Sequence, residues 1–134
     1  MIKIESAQSY SYDLKRRLLT VHNILKPDTT IQFALTDQEL KSIIGKYYEL
    51  NLNKLKSNYQ VGDSCMSSPK LFTTLKVNSQ KFSQQIMIDN SCHQFIPSDS
   101  TNGNRIVAFI KYTFSILKSK PQIKNAPNSE MFYY

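Results

Sequence analysis

Residues 71 to 89, LFTTLKVNSQKFSQQIMID, alternate apolar and polar side chains on both sides of a polar break at Asn78-Ser79. Successive strand side chains point to opposite faces, so a period of two is what a hairpin needs when one face is buried and the other meets water. A chain carrying such a segment is committed to a sheet with something packed on one side. Asn tolerates the positive φ that a two-residue turn demands. The pattern therefore predicts a turn at Asn78-Ser79, with Leu75 opposite Phe82 and Leu71 opposite Ile86. Val77 and Ile88 share that face; Phe72, Thr74, Lys76, Lys81, Ser83 and Gln85 take the other.

The same register sets Cys65 against Cys92, although Pro69 cannot donate to a ladder and ends regular pairing. A structural disulfide between Cys65 and Cys92 is the leading reading, ahead of two free thiols and of a metal or catalytic pair. Their spacing is not CxxC, and the neighbouring His93 does not complete a zinc ligand set. A disulfide would imply export from the cytoplasm to a periplasmic or cell-envelope location.

Upstream, Leu35-Thr36-Asp37-Gln38-Glu39-Leu40 carries a helix start. The Thr36 hydroxyl can take an orphan N–H while Glu39 reaches back to the Thr36 N–H, and Leu35 and Leu40 flank the box as a hydrophobic staple. Leu40, Ile43, Ile44, Tyr47 and Tyr48 follow on one helical face, which predicts a helix from 37 to about 52. Gly45 interrupts it at a cost of about 1 kcal/mol relative to Ala, where a close strand would find room.

The remaining elements follow from composition. Residues 10–15 alternate as a strand, 17–21 continue extended, and Pro27-Asp28 turns the chain back into a strand from Thr30. Residues 53–69 and 97–104 are polar loops. The stretch from Arg105 to Lys120 reads as a helix stopped by Pro121, since Ile106, Ile110, Phe114 and Leu117 share a face. The fold class is thus α+β: an antiparallel sheet of about four strands in ββαββα order with helices packed on one face. A single domain covers 1–121, with a tail over 122–134.

The chain has 134 residues and a formal net charge of +7. Its lysines are dispersed, and the one tight cluster is Lys15-Arg16-Arg17. Arginine, the usual fork for bases and phosphates, is scarce. No run approaches the roughly 20 apolar residues of a membrane span. The N-terminal stretch also lacks the apolar segment of a signal peptide.

Nothing in the sequence assembles a catalytic site. GxSxG, HExxH and the nucleotide-binding glycine motifs are missing. His22 and His93 have no partner at a useful spacing, and the few carboxylates suit turns and the helix start. The sequence points away from an enzyme and implies no cofactor or metal.

The succession LTDQELKSIIGKYYELNLNKL, a loop with Cys65, the hairpin LFTTLKVNSQKFSQQIMIDNSC and a final apolar helix RIVAFIKYTFSIL resembles small bacterial cell-envelope domains in layout. It is also similar to immunity proteins that neutralise toxins of neighbouring cells. The resemblance implies a non-catalytic binding protein, an inhibitor or immunity protein acting outside the cytoplasm on a protein partner such as an acidic toxin or enzyme. Eight tyrosines support this, because tyrosine offers contact area with a polar tip. The expected contact residues are Tyr10, Tyr12, Tyr59, Asp63, Asp99 and Arg105. The second reading is a nucleic-acid-binding module that uses the +7 charge.

Overall fold

The computed structural model describes residues 2–6, 9–61, 72–79, 82–89 and 100–127. Seven strands form one sheet: β1 (Ile2–Ser6), β2 (Tyr10–Asp13), β3 (Leu18–Val21), β4 (Thr29–Gln32), β5 (Asn58–Val61), β6 (Phe72–Asn78) and β7 (Ser83–Asp89). Three helices accompany it: α1 (Asp37–Glu49), α2 (Ser100–Leu117) and the short α3 (Pro121–Lys124). The sheet order is β4-β3-β2-β1-β6-β7-β5, antiparallel except where β5 joins β7 in parallel. The α+β class stands. The four-strand antiparallel ββαββα layout gives way to a seven-strand mixed sheet. The difference comes from β1 and β5, whose pairing with β6 and β7 is distant in sequence, and from the expected extended run over 10–21, which splits into β2 and β3 at a turn where Arg17 takes a positive φ of 57°.

One row of side chains crosses all seven strands. Ile31, Leu19, Tyr12, Ile4, Leu75, Ile86 and Tyr59 are consecutive cross-strand partners. Ile4 and Leu75 at its centre are 0 % exposed, so the core is deepest where β1 meets β6. Gln84 and Ile88 continue this face on β7, and the helices pack against it with Ile43, Tyr47, Ile106, Phe109 and Leu117. Burying one such side chain contributes about 1.5–3 kcal/mol.

The predicted hairpin forms with a different turn. Asn78 pairs with Ser83 and Leu75 with Ile86, leaving a four-residue connection over 79–82. Its ends are closed by Ser79 N–H donating to Phe82 O at 2.8 Å and Phe82 N–H donating to Ser79 Oγ at 3.2 Å. Serine's hydroxyl thus supplies the closure that a second residue at positive φ would have had to provide. The displacement is by an even number of positions, so Leu75, Val77, Ile86 and Ile88 keep their face. The argument that set Cys65 opposite Cys92 does not survive it, and both cysteines lie outside the described residues.

Helix α1 begins as its sequence requires. Glu39 N–H donates to Thr36 Oγ1 at 3.1 Å and Thr36 N–H donates to Glu39 Oε1 at 3.0 Å, a complete capping box. The helix ends at Glu49 rather than near 52, because Asn51 adopts a left-handed φ of 58°. Asn tolerates that conformation, a common way to stop a helix. Ile43 and Tyr47 are buried, whereas Ile44 and Tyr48 on the expected apolar face are exposed. Gly45 is also exposed, and a Cβ there would meet nothing within 4 Å, so no strand approaches it. Helix α2 starts at Ser100, which turns part of the expected 97–104 loop into helix. The expected boundary near 121 falls at the start of α3, whose Ile123 is buried in the core.

Two polar contacts fasten the helices. Gln84, 3 % exposed, accepts a hydrogen bond from the Tyr47 hydroxyl. Its amide nitrogen donates to the carbonyls of Leu52 (2.9 Å), Leu55 (3.1 Å) and Lys56 (3.3 Å), the segment that follows α1. At the other end of α1, Lys120 Nζ lies 2.6 and 2.8 Å from the two Glu39 carboxylate oxygens. Lys120 holds the Glu39 carboxyl below its ordinary value of 4.5, aided by the Thr36 backbone N–H.

Gln84→Leu keeps the volume but strands the Tyr47 hydroxyl and three carbonyls, which costs the desolvation of buried polar groups. Urea denaturation should show a loss of about 2–3 kcal/mol. Because the Glu39 pKa is lowered in the folded state, its contribution is present above pH 4.5 and is lost as pH falls through the folded value. Lys120→Met should therefore lower stability by about 0.5 kcal/mol at pH 7, a small figure because the pair is partly solvated. Unfolding midpoints of the two proteins should converge in strong acid.

Candidate functional site

Strand alternation leaves the second face of the sheet polar. It carries Lys3 and Glu5 of β1, Ser11 and Asp13 of β2, Thr20 of β3, and Thr74 and Lys76 of β6. At one end of this face a groove of about 370 Å³ is lined by Lys3, Asp13, Lys15, Arg16, Lys76 and Asn78. Glu5 bridges two of the lysines, 3.7 Å from Lys3 Nζ and 3.0 Å from Lys76 Nζ. Asp13 sits 4.0 Å from Arg16 Nε and also accepts the Arg16 backbone N–H at 3.0 Å. Four cations thus share two carboxylates. The remaining positive charge is presented to solvent, with the Arg16 side chain 77 % exposed.

The basic triplet divides its labour. Lys15 and Arg16 face the groove, while Arg17 turns inward with a positive φ of 57°. Its Nε donates to Leu35 O and its Nη2 reaches Asp37 Oδ1, both at 2.6 Å. Arg17 therefore pins the β2–β3 turn to the start of α1, and its charge is used within the molecule.

A second concavity, of about 330 Å³, opens on the helix-covered side between β2–β3 and the segment 118–127. Tyr10, Tyr12, Leu19, Ile123, Lys118 and Lys124 line it. Tyr12 meets Phe114 edge to face, with ring centroids 5.2 Å apart, and Lys118 Nζ lies 5.4 Å from the Phe114 centroid. Burial pushes the Tyr12 hydroxyl up to about 12, with Tyr10 adding to the shift. The Tyr47 hydroxyl is raised to about 12 in the same way, with Tyr48 as its minor cause.

The expected contact residues are dispersed over these surfaces. Tyr10 is half-buried and Tyr12 buried, both in the second groove. Tyr59 stands on the edge strand β5, where its hydroxyl accepts from Asn102 Nδ2 at 3.3 Å. Arg105 donates to Leu50 O at 3.2 Å and to Asn102 Oδ1, so it ties the end of α1 to α2. Asp63 and Asp99 lie outside the described residues. Sequence reasoning missed Lys3 and Lys76, whose alternation with Ile2, Ile4, Leu75 and Val77 was the available signal. Their meeting depends on the long-range β1–β6 pairing.

His22 Nδ1 lies 2.9 Å from Asp28 Oδ2, and Asn23 N–H donates to Asp28 Oδ1 at 3.0 Å, which closes the β3–β4 turn. The Asn23 backbone and then the His22 ring hold the Asp28 carboxyl below its usual range. Among the described residues, no group of three or more His, Cys, Asp or Glu is placed to hold a metal ion. No helix among them is long and apolar enough to cross a membrane.

Among the described residues the fold is an α+β sheet with helices on one face and a basic groove at one end of the other. Comparisons with protein-family models, with curated proteins and with solved structures find no match to this chain.

Tyr12 and Tyr47 keep their protons in the folded state above their ordinary value of 10.0. The stability this contributes is complete below pH 10 and is lost as pH rises toward 12. Tyrosinate absorbance should resolve two late-ionising groups near pH 12, and Tyr12→Phe should remove one of them.

Proposed function

We propose that this protein is a non-catalytic binding domain, of the inhibitor or immunity type, whose basic sheet groove receives an acidic surface of a protein partner. The observation that carries the reading is the groove in which, among the described residues, Lys3, Lys15, Arg16 and Lys76 stand around the carboxylates of Glu5 and Asp13. Rigid strands hold the groove, which lowers the ordering cost of association. Interleaved Glu5 and Asp13 suit a protein partner that offers both signs of charge in a fixed pattern, because complementary charges fix register as well as attraction.

Nucleic acid fits the same face less well. Single-stranded bases stack on aromatic platforms. The described residues that line the groove, Lys3, Asp13, Lys15, Arg16, Lys76 and Asn78, include no aromatic ring.

The test pairs wild type with a Lys15→Glu/Arg16→Glu double variant, two exposed turn residues whose replacement leaves the core untouched. Wild type immobilised against the envelope or secreted fraction of the source cells should retain an acidic protein. Affinity should fall about tenfold or more between low and physiological salt, and the double variant should not retain the partner. Tight, salt-sensitive binding of DNA or RNA with no protein retained would transfer the face to the nucleic-acid reading.

A further inference from the structure

The second groove has the chemistry of a small-molecule site, separate from the basic face. Its volume of about 330 Å³ lies within the range of ligand pockets, roughly 300–1,000 Å³. Leu19, 1 % exposed, and Ile123, 9 % exposed, supply an apolar floor. The exposed Lys118 and Lys124 stand at the solvent side.

Between floor and rim sits Tyr12. Among the described residues of the groove that carry a polar tip, Tyr12 is the most buried, the residue being 6 % exposed. Among the described residues none hydrogen-bonds its hydroxyl, and that oxygen is not one of the fully buried polar atoms, so it meets the groove. A phenol whose ring is buried while its hydroxyl meets a cavity offers that cavity a hydrogen-bond donor at a fixed position. Burial keeps it protonated far into the alkaline range, so it donates at any physiological pH. Packing of the ring against Phe114, and of Lys118 over Phe114, holds the donor and one cation on a common support.

We propose that this groove binds a small amphipathic monoanion of the aromatic carboxylate class. The apolar body lies on Leu19 and Ile123, and the carboxylate accepts from the Tyr12 hydroxyl while Lys118 and Lys124 balance its charge. A neutral apolar ligand would leave the Tyr12 donor unpaired and gain nothing from the two ammonium groups. A small polar anion such as acetate would leave the floor in contact with water. The combination of floor, donor and cations selects a ligand with both parts.

The experiment titrates 4-phenylbutyrate into the isotopically labelled protein and follows amide chemical shifts, with 4-phenylbutyramide and acetate as controls. Saturating shifts should centre on Tyr10, Tyr12, Leu19 and Ile123, with a dissociation constant on the order of 1 mM for a probe of this size. The amide should bind about tenfold more weakly, since it lacks the charge-assisted hydrogen bond. Lys118→Ala/Lys124→Ala should weaken the acid about tenfold and leave the amide unchanged. Tyr12→Phe should weaken the acid severalfold without lowering the thermal midpoint, because no described residue hydrogen-bonds the hydroxyl. Equal binding of acid and amide, acetate reproducing the same shifts, shifts centred on Lys3 and Lys76, or no shifts at roughly 10 mM would each overturn the proposal.

Discussion

The structure depends on the pairing of β1 with β6. On one side of that seam stand β2, β3 and β4, built from consecutive chain; on the other stand β7 and β5. Either group alone would expose a long edge and a narrow apolar face, and sheets of few strands are marginal in water. Joined, they make Ile4 and Leu75 neighbours and give the helices one wide surface to cover. Helix α1 then acts as a strap over the seam. Arg17 secures its beginning near β3, and the Tyr47–Gln84 bond secures it to β7 on the far side.

How much of this was legible in the sequence follows from the range of each interaction. The capping box at Thr36 is complete within four residues, and its reading matches the structure in both hydrogen bonds. The alternation of β6 and β7 is equally local, and it assigned inside and outside correctly even though the turn did not form as expected. Turn length is a finer matter, settled by the Ser79 hydroxyl, which the alternation does not encode. Strand β1 offers only Ile2 and Ile4, too short a pattern to distinguish from chance, and β5 offers a polar NYQV whose partner lies more than twenty residues on. Their membership of the sheet is a tertiary fact.

The same limit governed the candidate site. Arg16 and Arg17 are chemically alike and adjacent, yet one faces solvent at a groove and the other is consumed by the start of α1. Backbone conformation decides between them, since the positive φ at Arg17 reverses the direction of its side chain. Tyr12 and Tyr10 were legible as an unusual pair of strand tyrosines. That they border a cavity follows from α3 and the segment after it, whose Ile123 was assigned to a tail. Arg105 shows the converse, a residue with the look of a contact group that instead satisfies a carbonyl at the end of α1.

The seam also has a history within each molecule's synthesis. From Ile2 at the start of β1 to Phe72 at the start of β6 the chain grows by 70 residues. At roughly 5–20 residues per second, the ribosome leaves β1 without that partner for about 4–14 s. Throughout that interval the β4-β3-β2-β1 ribbon can assemble, but its β1 edge presents unpaired N–H and C=O groups to any passing strand. Lys3 and Glu5 alternate along that edge with the isoleucines. Charges so placed disfavour pairing with an apolar stranger and, in Glu5 with Lys76, welcome the intended strand when it arrives. The charges of Lys3 and Glu5 thus guard the nascent chain before they belong to any surface.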